Sequence, residues 1–311
     1  MKSAVKILVS LSLLFFAAAI GPELWSREPS QEELNLEDFQ PRKEPEKTKP
    51  KIEKPTPKPK PKPEAQPRRE KAPAVKSGGQ IWKEPVTGMV FVRVPGGCYQ
   101  MGCGPWAGEC GEDNKTVREV CLDGFWMGKY EVTQAQWEKV MGSNPSQFKK
   151  GPNYPVEQIS WNDAGEFIRK LNERSGGKYA LRLPTEAEWE YACRSEGKKE
   201  RHSGGNDADQ VAWYVKNSGS EIHEVGKKVP NALGLFDMNG NMWEWCEDVY
   251  NRNAYDKLLG KNPVSTAGSS DRVIRGGSWL NSPGHACCVY RSFDKPASRN
   301  SSIGLRLARK E

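Results

Sequence analysis

The sequence predicts an α+β fold of few short helices, short strands and long loops over residues 81–311. Three observations carry it. Thr133-Gln134-Ala135-Gln136 and Thr185-Glu186-Ala187-Glu188 are two capping boxes, each with a hydroxyl at the N-cap and an acid or amide three residues on. Between them, Ala164, Phe167, Ile168 and Leu171 fall at i, i+3, i+4 and i+7, an amphipathic helical stripe. After residue 195 short apolar runs alternate with Gly, Asn, Asp and Ser turns. In chain order, Met89-Val90-Phe91-Val92-Arg93-Val94 reads as a strand stopped by Pro95-Gly96-Gly97. The first helix carries Trp137 and Val140 inward and stops near Gly142; the second ends at Gly176-Gly177. The third follows Pro184 and has acids in its first turn, where the helix dipole favours them.

Composition separates this domain from what precedes it. The 311-residue chain has a formal charge of +7. Residues 41–80 alone contribute +8, residues 1–40 contribute −3, and residues 81–311 contribute +2. The last segment holds 10 of the 11 tryptophans and all 8 cysteines. A nearly neutral domain excludes a basic nucleic-acid-binding surface as the default. No apolar run after residue 20 approaches 18 residues, which excludes a polytopic helical membrane protein.

Residues 1–20 read as a signal peptide or N-terminal anchor. Lys2 and Lys6 precede an apolar run from Ile7 to Ile20, and Ala17-Ala18-Ala19 offers small residues for cleavage. If cleavage fails, this segment is the chain's contact with a membrane. No cysteine precedes Cys98, so a lipobox is excluded. Residues 21–80 read as a disordered Pro/Lys-rich spacer. Its window 41–80 carries ten prolines, and Lys54-Pro55-Thr56-Pro57-Lys58-Pro59 favours polyproline II. The spacer is either a plain solvated linker or an arm holding envelope polymers by charge. The expected location is exported: periplasmic, envelope-associated or secreted.

Eight cysteines in an exported chain suggest disulfides. Cys98, Cys103, Cys110 and Cys121 form a quartet with three possible pairings, and the spacing lacks a zinc knuckle. Cys193 and Cys246 read as buried thiols. His202, His223 and His285 stand among Gly, Ser, Asn and Pro and read as solvated loop histidines. No G-x-S-x-G elbow or Walker loop occurs.

The order of motifs resembles the sulfatase-modifying factor family, whose best-known member is the formylglycine-generating enzyme. The motifs are Glu131-Val132-Thr133-Gln134-Ala135-Gln136-Trp137, Pro155-Val156-Glu157-Gln158-Ile159-Ser160-Trp161 and Arg182-Leu183-Pro184-Thr185-Glu186-Ala187-Glu188-Trp189. They continue with Asp237-Met238-Asn239-Gly240-Asn241-Met242-Trp243-Glu244-Trp245, Arg275-Gly276-Gly277-Ser278-Trp279 and Gly304-Leu305-Arg306. The resemblance implies the formylglycine-generating-enzyme fold, related to C-type lectins. It implies a structural calcium ion on Asp237, Gly240, Met242 and Glu244. A second family calcium site is not placed near Asp207-Ala208-Asp209-Gln210.

In the enzyme, a C-x4-C pair after the Gly-Gly-Ser-aromatic motif binds copper(I) and converts a sulfatase cysteine to formylglycine with oxygen. Here Asn281 and Ala286 stand at those places, so the residues argue against copper. Cys287 and Cys288 are the weak substitutes, because adjacent strand residues point to opposite faces. Counted back from Arg291, Cys288 matches a third, structural cysteine of the enzyme. Trp243 and Ser278 match residues lining the enzyme's oxygen pocket. The expectation is an exported, non-catalytic binding or accessory module acting on an unknown protein or ligand. The alternative is a formylglycine-generating oxidase of an exported sulfatase.

Overall fold

Apolar residues of the strands Val90–Val94 and Phe125–Gly128 build the first sheet. The computed structural model describes residues 79–311 except 109, 258 and 259. The signal or anchor segment, and the spacer up to residue 78, lie outside the described residues. β1 (Ile81–Lys83) and β2 (Val90–Val94) form an antiparallel pair, with Phe91, Val92 and Val94 buried. β3 (Gly97–Met101) pairs with β4 (Arg118–Leu122) as a separate ribbon. β5 (Phe125–Gly128) returns to the first sheet beside β2.

The helices start where their hydroxyls stand. α1 (Gln134–Met141) is capped by the Thr133 box and ends on Gly142 at φ +84°. α2 (Trp161–Arg174) buries Ala164, Phe167 and Leu171, while Ile168 is half-buried. Trp137 and Phe167 stack with ring centroids 4.8 Å apart, which joins the two helices. α2 has its own capping box, Ser160 with Asp163. α3 (Glu186–Cys193) keeps the Thr185 box and is buried on every side. α4 (Ala208–Val211) is one turn.

The second half hangs on another sheet. β6 (Trp243–Val249) lies between β7 (Arg272–Arg275) and β9 (Ile303–Gly304), and β8 (Arg291–Asp294) borders β7. α5 (Ala254–Lys257) is a single turn between β6 and β7. β10 (Ala308–Lys310) closes the first sheet against β5. The loops outweigh the elements, as the turn-rich sequence predicts, and buried ion pairs and disulfides pin them. Three disulfides form: Cys98–Cys121, Cys103–Cys110 and Cys193–Cys288. Register explains the first, because Cys98 and Cys121 face each other across β3 and β4. Cys193 is therefore half of a disulfide rather than a buried thiol; Cys246 and Cys287 are the free, buried thiols. Among the described residues no helix is long and apolar enough to cross a membrane.

Candidate functional site

The loop following β7 is built by two glycines. Gly276 and Gly277 have φ of +101° and +75°, a region side chains other than glycine rarely adopt. A Cβ on Gly277 would stand 2.8 Å from the Cα of Ala286, so the outgoing and returning chain touch there. The turn is closed by Asn281: its Oδ1 accepts from the Ser278 amide at 2.9 Å and from Ser278 Oγ at 2.6 Å. Ser278 is buried, and its hydroxyl is committed to this turn. Ala286 is buried and apolar, packed with Val211, Ala212 and Tyr214.

The two adjacent cysteines part company. Cys288 Sγ is bonded to Cys193 at the end of α3. Cys287 Sγ is a thiol that donates to the Gly284 carbonyl at 3.1 Å. Burial pushes that thiol above its ordinary range. The pair does not offer two thiolates. Trp243 is buried at the start of β6, and its ring lies 6.0 Å from Tyr290. Tyr290 also packs against the Cys287 cluster and meets the His285 ring edge-on at 4.4 Å.

Of the three histidines expected to be solvated, His202 is buried, while His223 and His285 are partly exposed and have contacts of their own. His202 is 3% exposed with Nδ1 2.8 Å from the Ala286 carbonyl oxygen, and burial lowers its pKa. His223 stacks on Trp213 at 3.7 Å with Nε2 2.7 Å from the Ser218 carbonyl. His285 is half-buried, its Nδ1 2.8 Å from Ser282 Oγ. Turn-forming neighbours mislead most at His202, because His202 and Ser203 are buried.

Asp237 and Glu244 meet a third carboxylate that motif spacing did not single out, Glu131. All three are buried around Arg306. Glu244 takes both Arg306 Nε and Nη2 and also accepts from Trp189 Nε1 at 2.7 Å. Glu131 accepts from Asn241 Nδ2 at 2.7 Å and from the Met242 amide at 3.1 Å. Asp237 Oδ2 accepts from the Gly226 amide at 2.6 Å, while its Oδ1 is buried with no hydrogen-bond partner. Burial pushes Asp237 up to about 6 and Glu131 well above the carboxylate range, each raised further by neighbouring acids. Gly240 lets the turn close: φ is +71°, and a Cβ there would collide with the Trp213 carbonyl. Among the described residues no three His, Cys, Asp or Glu side chains, these acids included, are placed to hold a metal ion together. Any cation at this turn therefore depends on Asp237 Oδ1 and on backbone carbonyls. Asp207 and Asp209 are engaged otherwise: Asp207 caps α4, and Asp209 accepts from Tyr214.

A second buried network supports the loop. Glu186 and Glu190 of α3 are fully buried. Arg275 Nη2 reaches Glu190 at 2.8 Å and the Cys288 carbonyl at 2.7 Å. Arg291 Nε binds Glu186 at 2.6 Å, and Arg194 Nη1 binds Glu190 at 2.8 Å. The available signal was an arginine closing the apolar run Val273-Ile274, since a charge in a buried strand requires a partner.

Fold and loop together define a sulfatase-modifying-factor type of domain, and sequence comparison agrees. The family model for the sulfatase-modifying factor enzyme 1-like domain matches residues 79–311, and the chain belongs to that family. A chaperone protein, LppX, of Paenibacillus barcinonensis is 31% identical over 242 residues, covering 62% of this chain and 82% of that protein. The formylglycine-generating enzyme of Mus musculus is 28% identical over 311 residues, covering 78% of this chain and 79% of its own. Among solved structures, Treponema denticola variable protein 1 aligns with a TM-score of 0.67 at 29% identity, over 75% of this chain and 99% of that one. PvdO from Pseudomonas aeruginosa aligns at 0.64 with 24% identity, over 75% of this chain and 98% of that one, a likeness of fold.

Proposed function

We propose that the chain works outside the cytosol as a non-catalytic binding or accessory module of the sulfatase-modifying factor family. The carrying observation is the bonding at the loop after β7. Asn281 is spent on Ser278, Ala286 has no donor, Cys288 is oxidised and Cys287 is a single buried thiol. A soft monovalent ion wants two thiolates, and this loop offers one sulfur. The chaperone name of one relative agrees with an accessory role. Three disulfides suit an oxidising compartment, in keeping with a signal or anchor at residues 1–20 and a spacer over 21–80. The partner class is a protein or ligand outside the cytosol, and envelope polymers are the candidate for the basic spacer.

The second reading is a formylglycine-generating oxidase. It is favoured by Trp243 standing beside Tyr290, which packs on the only thiol of this loop, and by the mouse relative. One experiment decides between them. The purified chain is given copper(I), oxygen and a Cys-x-Pro-x-Arg peptide, and the peptide is weighed by mass spectrometry. The proposal expects the peptide unchanged; an aldehyde product that disappears in Cys287→Ser overturns it.

Calcium at the Asp237–Glu244 turn belongs to the same proposal. Asp237 Oδ1 and the carbonyls of Gly240 and Met242 are its oxygen donors, and a hard cation prefers such donors. Glu244 would contribute chiefly charge, because a carboxylate has about four lone-pair sites and Arg306 with Trp189 occupies them. A native-state ligand raises stability, so chelator should lower the melting temperature and added calcium restore it. In Asp237→Ala that response should vanish. A wild-type melting temperature unmoved by chelator counts against the ion.

A further inference from the structure

Cys287 is not isolated. It shares one packed cluster with Cys103, Ala107 and Val289, and Cys110, Trp106 and Tyr290 pack against that cluster. Cys103 and Cys110 are already bonded to each other, so one packed cluster holds a disulfide and a thiol side by side. Their burial differs. Cys103 is 6% and Cys287 1% exposed, whereas Cys110 sits half-buried at the rim. Both backbones are tied down beside the sulfurs. Asn114 Nδ2 donates to the Val289 carbonyl at 2.6 Å, and the Cys103 amide donates to the Asn114 carbonyl at 2.8 Å. On the other side the Gly102 amide donates to Glu190 at 2.9 Å, and Arg194 lies 4.0 Å above the Trp106 ring.

We propose that Cys103, Cys110 and Cys287 form a thiol–disulfide exchange site, in which the bond moves inward to Cys103–Cys287 and leaves Cys110 as a thiol at the rim. Cys287 gives its proton to solvent, its sulfur attacks the Cys103 sulfur, and the Cys103–Cys110 bond breaks. The Cys110 sulfur leaves with the electron pair and takes up a proton. Nothing is oxidised or reduced overall, since one disulfide and one thiol stand on each side. The released Cys110 is a nucleophile for a disulfide of a second molecule. Its chemistry is distinct from metal-dependent oxidation and survives whether or not the domain is catalytic. Burial raises the Cys287 thiol, while backbone hydrogen bonding at Val289 and Tyr290 and the charges of Arg275 and Arg201 pull the other way, so bonding at equilibrium is the readout rather than rate.

The test removes the leaving sulfur. Full-length Cys110→Ser is produced in an oxidising compartment, its free thiols are alkylated, and its disulfides are mapped without reduction. The proposal expects a Cys103–Cys287 linkage and one alkylated cysteine, Cys246. Alkylation of Cys103, Cys246 and Cys287 together overturns it. Should that variant fail to fold, the wild-type protein is treated with limiting dithiothreitol and then alkylated. Peptides with Cys110 labelled while Cys103 is bonded to Cys287 sustain the proposal. Labelling of Cys110 only together with Cys103, as Cys287→Ser must show, overturns it.

Discussion

Gly277 decides the shape of the loop after β7. A methyl group there meets the Ala286 backbone and must hold φ near +75°. Gly277→Ala should lower stability by about 1–3 kcal/mol in a denaturant titration. Asp248 is the residue with the clearest signature in pH. It is buried, both oxygens accept from backbone amides of Glu186 and Ser265, and burial with the nearby Glu186 charge raises it to about 7. A raised carboxyl binds its proton more tightly folded than unfolded. Its contribution is full below the unfolded pKa near 4 and is lost as pH rises through about 7. Comparing melting temperatures of wild type and Asp248→Asn should show the wild type losing ground steadily from pH 4 to 8. A constant difference across that range contradicts the shift. Neither residue announces its role in sequence. Gly277 stands in a quoted motif, but its contact with Ala286 is nine residues away and depends on a returning loop.

At the scale of elements, helix starts were legible and helix surroundings were not. Thr133 and Thr185 reveal α1 and α3 because capping is local, a matter of a hydroxyl and an acceptor three residues on. Ser160 with Asp163 is the same device with a shorter acid, one methylene less than the usual glutamate. The acids of α3 illustrate the limit. First-turn position explains Glu186 by the dipole, yet its carboxylate meets Arg275 and Arg291 from two strands far along the chain. Only tertiary packing assigns such partners. The network fastens α3 to β7 and to the Cys288 carbonyl, so it ties down the loop after β7. Arg275→Leu leaves Glu186 and Glu190 short of a cation in the interior. It should cost about 3–5 kcal/mol, seen as a shifted unfolding midpoint. A shift within about 0.5 kcal/mol would mean that Arg194 and Arg291 carry the charge unaided.

At the scale of the whole molecule, family and fold were readable because long motifs recur in order, from Glu131-Val132-Thr133 to Gly304-Leu305-Arg306. Asn281 and Ala286 were readable as residues that offer no thiolate, and the structure adds what each contacts. Disulfide pairing was not, since Cys98 finds Cys121 through strand register and Cys193 finds Cys288 across 95 residues. The Glu131–Asp237–Glu244 group was half visible: two acids share a motif and the third lies over 100 residues upstream. These features describe a family scaffold whose buried ion pairs support a loop with one disulfide-bonded cysteine and one buried thiol. The central claim is that this loop does not hold copper(I). The most direct measurement is a copper(I) competition titration of the reduced-copper-loaded protein against a colorimetric copper(I) chelator, for wild type and Cys287→Ser. The account predicts that the chelator takes all the metal from both proteins alike. One tightly held copper per chain in wild type, lost in Cys287→Ser, would contradict it.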